Sequence, residues 1–94
     1  MASGPEMEVL TENEWLELVG DLRLSPRQAE IVKLLLSGMS DKQIAKQLHI
    51  GRPTVRTHLS RLFSKYEVQD RSELIVYVLG HFCERWRANG GPQW

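Results

Sequence analysis

Four pairs along this chain set a capping side chain three residues ahead of Glu or Gln at the head of a run with helical apolar spacing: Thr11 with Glu14, Ser25 with Gln28, Ser40 with Gln43 and Asp70 with Glu73. Such a pair forms a capping box. Each side chain takes a backbone amide that a helix start would leave unpaired, so each box marks a helix N-terminus. Four marked starts within 94 residues, and no apolar–polar alternation long enough for a strand, constrain the chain to an all-α small helical bundle.

Glycine and proline supply the stops and a fifth start. The first helix is expected over roughly 12–19, ended by Gly20, and the second over 26–37, with Pro26 at its first position and Gly38 beyond its end. A third is expected over 41–48. After the turn His49-Ile50-Gly51 a fourth starts near Arg52 or Pro53 and runs to about Tyr66, which makes the third and fourth a helix-turn-helix pair. The fifth covers 71–87 and stops before the breaker cluster Asn89-Gly90-Gly91-Pro92. The chain thus divides into a tail and short extra N-terminal helix at 1–23, a helix-turn-helix domain at 24–88 and a C-terminal tail at 89–94.

Apolar spacing assigns the buried faces. Leu24 with Ile31, Leu34 and Leu35, then Ile44, Ala45 and Leu48, then Val55, Leu59, Leu62 and Tyr66 make three stripes at helical spacing that share one core. Trp15, Leu16, Leu18 and Val19 on the first helix are expected to cap that core rather than dock on another module. The last helix is apolar nearly all round, with Leu74, Ile75, Val76, Tyr77, Val78, Leu79, Phe82, Cys83 and Trp86. Leu74 and Val78 can face the core; Tyr77, His81, Phe82 and Trp86 are expected on a second face that pairs with another copy.

The chain is neutral overall, but its charge is divided. Residues 1–30 hold seven acids against two bases, whereas residues 41–71 hold seven bases against three acids. The basic segment coincides with the helix-turn-helix, as binding to phosphates requires. With Val55, Leu59 and Leu62 inward, the fourth helix presents Arg56, Thr57, Ser60, Arg61 and Ser64 outward, a face without an acid. Arginine can bridge guanine O6 and N7, and Ser and Thr can contact other base edges, so Arg56, Thr57, Ser60 and Arg61 are candidate base contacts in double-stranded DNA. Lys42 and Lys46, on the helix before it, are candidate phosphate contacts.

Other chemistry finds little support. No nucleophile–base pair, carboxylate cluster or glycine-rich phosphate loop occurs at a useful spacing, so no catalytic residue is assigned and an enzyme is not expected. Cys83 is single and His49, His58 and His81 fall at no metal-ligand spacing, so no metal or cofactor is expected. Cys83 reads as a small interface hydrophobe, His58 as a hydrogen-bonded structural residue rather than a phosphate ligand or pH sensor, and His49 and His81 carry no assigned chemistry. No apolar run approaches the roughly 18 residues of a membrane span and the N-terminus lacks signal-peptide features, which points to a cytoplasmic protein.

Leu24-Ser25-Pro26-Arg27, Gly38-Met39-Ser40-Asp41-Lys42-Gln43-Ile44-Ala45, Leu48-His49-Ile50, Thr54-Val55-Arg56-Thr57-His58-Leu59 and the later Lys65, Val68 and Arg71 together resemble the LuxR/GerE-type helix-turn-helix domain of bacterial transcription regulators, over about residues 24–80. The resemblance implies a four-helix DNA-binding domain whose third helix enters the major groove and whose fourth often forms a dimer. It assigns Arg56, Thr57 and Ser60 to bases and Lys42, Thr54 and Lys65 to phosphates; Arg61 and Lys46 come from helix geometry alone. Departures from the pattern are Gly51 in place of a capping Ser, Glu67 in place of a helix-ending Gly, Ser60 and Ser64 where basic or polar residues are common, and Gln28 and Gln43 in place of Glu.

Two functions stay open. One is a dimeric, sequence-specific DNA-binding regulator; the other is an interaction protein of the same fold that antagonises another regulator without strong DNA binding of its own. Neutral overall charge, the acidic first 30 residues and the serines on the outward face favour the second.

Overall fold

A computed structural model describes residues 11–88, which form five helices: α1 (Glu12–Leu22), α2 (Pro26–Leu36), α3 (Asp41–Leu48), α4 (Arg52–Tyr66) and α5 (Arg71–Ala88). The N-terminal residues 1–10 and the C-terminal tail expected at 89–94 lie outside the described residues. No strand occurs among the described residues, so the fold is the all-α helical bundle expected.

The capping boxes explain where α1, α2 and α3 begin. Thr11 Oγ1 accepts from the Glu14 amide at 3.1 Å while the Thr11 amide donates to Glu14 Oε1 at 2.9 Å, and Ser25–Gln28 and Ser40–Gln43 repeat both bonds. Ahead of α5 the arrangement shifts by one residue. Asp70 Oδ1 accepts from the Glu73 amide at 3.0 Å, but Glu73 Oε1 takes the amide of Gln69 at 2.6 Å.

One boundary differs by three residues from expectation. Instead of stopping at Gly20, α1 continues to Leu22, because Trp15, Leu18 and Leu22 recur at helical spacing and all three are buried. A glycine inside a helix costs about 1 kcal/mol relative to Ala, less than the roughly 1.5–3 kcal/mol from burying a leucine. The helix ends at Arg23, which takes the left-handed conformation at φ 56°; His49 and Glu67 close α3 and α4 in the same way.

The core draws on every helix. Leu18, Ile31, Val32, Leu35, Ile44, Val55, Leu62, Leu74 and Val78 are essentially inaccessible, and α4 packs against α2, α3 and α5. The first helix is fastened into this body at three places. Glu12 pairs with Lys33 of α2 at 3.7 Å, Glu17 and Asp21 pair with Arg85 of α5, and the α1 C-terminal carbonyls of Leu22 and Arg23 accept from Tyr66 and Lys65 of α4. Trp15 lies in the core, Val19 packs against it and Leu16 is exposed. None of the helices is long and apolar enough to cross a membrane.

Candidate nucleic-acid interface

The outward face of α4 follows from where its buried residues sit. At about 100° per residue, the buried Val55, Leu59 and Leu62 turn Thr57, Ser60 and Ser64 away from the core, with Arg56 on one flank and Arg61, Thr54 and Lys65 on the other. All seven are exposed, and α4 contains no acidic residue. Gly51 at the N-cap offers no side-chain cap, but Pro53 in the first turn needs no amide partner, and the Thr54 amide reaches the Gly51 carbonyl at 3.1 Å.

The four candidate base contacts are therefore brought onto one surface. Thr57 Oγ1 donates back to the Pro53 carbonyl at 3.0 Å, so its hydroxyl proton is committed within the helix. Its methyl group and remaining lone pair stay with the exposed side chain. Arg56 has a partner: its Nε lies 3.8 Å from Asp41 Oδ2 at the start of α3. The other oxygen of Asp41 pairs with Arg71, which also donates to the Met39 carbonyl at 2.9 Å.

Among the candidate phosphate contacts, Lys42 and Lys46 are exposed on α3 and Thr54 is exposed in the first turn of α4. Lys65 is placed differently from the others. Its ammonium donates to the Arg23 carbonyl and lies 5.5 Å from the Tyr66 ring centre, where it closes the end of α1. The sequence assignment missed this because the partner is a backbone carbonyl 42 residues away. Arg52, the first residue of α4, is exposed as a further cation at the N-terminal end of this helix.

On α5 the expected pairing residues separate into two groups. Phe82 is buried within the single chain, with Trp86 stacked beside it at 6.4 Å, so the premise that Phe82 needs cover from a second copy does not hold. It shares the core with α1, a helix whose docking onto α5 was not legible from spacing. Tyr77 is half-buried between Tyr66, stacked at 4.6 Å, and His81, tilted at 4.7 Å. The Tyr66 hydroxyl donates to the Leu22 carbonyl, and burial, followed by the neighbouring Tyr77, pushes it up from 10 to about 12. Val76 is 70% exposed, and with Val68, Ser72, Glu73 and Tyr77 it lines a shallow, mostly apolar groove.

Comparison with known proteins gives a match over this same region. The family model described as bacterial regulatory proteins, luxR family, matches residues 22–78. A stretch of 58 residues is 43% identical to the response regulator protein VraR of Staphylococcus aureus strain Mu3, and equally to proteins of that name in Staphylococcus saprophyticus and Staphylococcus epidermidis. The aligned stretch is 62% of this chain but 28% of each relative, so the chain spans less than a third of the length of the curated relatives it matches. No solved structure matches the chain significantly.

Proposed function

From the premise that the chain belongs to the luxR family of bacterial regulatory proteins, we propose that it is a sequence-specific DNA-binding transcription regulator that lays α4 in the major groove and acts as a dimer. The observation that carries this reading is the outward face of α4, where Arg56, Thr57, Ser60 and Arg61 are exposed together on a helix without an acid. Arg56 and Arg61 would take guanine edges and Thr57 and Ser60 neighbouring ones. Lys42, Lys46 and Thr54 would hold phosphates and set the register of the helix in the groove. Pairing through the α5 groove around Val76 and Tyr77 would set two such helices on half-sites about 10 base pairs apart, one turn of DNA.

Selection from a degenerate DNA pool, followed by binding to the selected and a scrambled duplex at several salt concentrations, tests the reading. Wild type is expected to prefer the selected duplex, and Arg56→Ala to lose about 1–3 kcal/mol of that preference while remaining folded. Equal binding of wild type to both duplexes would overturn sequence-specific recognition.

A second reading, an interaction protein that antagonises another regulator, is favoured by the intramolecular partners of Arg56 and Lys65, two of the cations expected on DNA. It requires the same assay to find no appreciable DNA binding.

A further inference from the structure

We propose that Asp41 is a positioning residue for Arg56: it aims the arginine at its base and so contributes to sequence discrimination without touching DNA. The proposal rests on the reading of α4 as the recognition helix. Asp41 is the first residue of α3, Arg56 lies in the second turn of α4 and Arg71 opens α5, so one carboxylate joins three helices. Its oxygens are divided between two arginines, Oδ1 to Arg71 and Oδ2 to Arg56 Nε.

The two arginines are not equivalent. Arg71 is fixed at two points, by Asp41 and by the Met39 carbonyl, and so anchors the carboxylate. Among the described residues Arg56 makes no other ion pair or side-chain hydrogen bond, and its side chain is 68% exposed against 22% for Asp41. An anchored acid therefore faces an exposed arginine.

Contact at Nε leaves the two terminal amino groups of Arg56 pointing onward as a fork, the geometry that makes parallel bonds to guanine O6 and N7. A long side chain held this way loses less rotamer freedom when it meets a base. The same carboxylate repels phosphates, so a complex in the wrong register meets an anion beside the arginine. Both effects favour the correct site over others. The capping box conceals this role in the sequence, because Asp41 follows Ser40 and reads as an ordinary acid in a helix first turn.

The test is a double-mutant cycle on the intact chain, with Asp41→Asn, Arg56→Ala and both together, measured on the selected and scrambled duplexes. Asparagine keeps an oxygen for Arg71, and a thermal melt of each variant checks that the fold is retained. Asp41→Asn is expected to lower the ratio of selected to scrambled binding by about twofold to tenfold, with scrambled binding unchanged or raised, and to have no further effect once Arg56 is alanine. An unchanged ratio in Asp41→Asn, or an equal loss in the Arg56→Ala background, overturns the positioning role alone. Full discrimination by Arg56→Ala instead overturns the base-reading role of Arg56, and the proposal with it. The Arg56 Nε–H resonance of the free protein gives a second measurement: it is expected to be ordered in wild type and to lose that order in Asp41→Asn, and an identical signal in both overturns the proposal.

Discussion

The Tyr66 hydroxyl donates to the Leu22 carbonyl at 2.6 Å, so the last residue of α4 closes the C-terminal end of α1. Tyr66→Phe removes this bond and leaves a partly buried carbonyl unpaired, an expected loss of about 1 kcal/mol of stability by chemical denaturation. The bond also has a pH signature. Burial raises the folded-state hydroxyl to about 12 from 10, so folding favours the protonated phenol. Its contribution is complete below about pH 10, falls as the unfolded chain ionises first, and is lost as pH rises through about 12. Wild type is therefore expected to lose stability more steeply than Tyr66→Phe across that window; parallel curves would show that burial of this hydroxyl does not couple to folding.

Glu67 ends α4 in the left-handed conformation, at φ 56° and ψ 44°, where the resemblance leads one to expect glycine. The left-handed region costs a residue with a Cβ about 1–2 kcal/mol, partly offset by the greater freedom of glycine in the unfolded chain. Glu67→Gly is expected to stabilise the domain by about 0.5–1 kcal/mol net, a rise of a few degrees in thermal midpoint. An unchanged or lower midpoint would mean that the Glu67 side chain contributes something that offsets its strain.

Most of the fold was legible because its signals are local. Ser25 with Gln28 and Ser40 with Gln43 lie within one turn, and both bonds of each box form as the spacing requires. The end of α1 was not legible from Gly20, because the burial of Leu22 that carries the helix onward depends on a core assembled from distant segments. The candidate site divides in the same way. The periodicity of Val55, Leu59 and Leu62 was enough to expose Arg56, Thr57 and Ser60, but the partners of Arg56 and Lys65 lie across the fold, at Asp41 and Arg23.

That difference separates two lysines which the sequence places in one class. Lys42 is exposed on α3, whereas the Lys65 ammonium is bonded to the Arg23 carbonyl. Lys42→Ala is expected to weaken binding to selected and scrambled duplexes alike and to reduce the slope of log K against log salt by about 0.9, one phosphate contact. Lys65→Ala is expected to lower the thermal midpoint and leave that slope unchanged. A salt slope reduced equally in both variants would return Lys65 to the phosphate-binding set.

The apolar surface of α5 left open for the proposed dimer is smaller than the sequence suggests. Phe82 is covered within one chain, which leaves the 70%-exposed Val76, beside Tyr77 and Val68, as the apolar centre of the α5 groove. A glutamate at an exposed position does not disturb the core, but on a twofold axis it would bury a charge against its own copy. Val76→Glu is therefore expected to sediment as a monomer with full helicity, and to lose cooperative binding to paired half-sites while single half-site binding persists. Sedimentation of wild type provides the reference, with a dimer expected at high micromolar concentration. A wild type that stays monomeric there, and that fills paired half-sites without cooperativity, would sink the symmetric dimer and leave the α5 groove for a different partner.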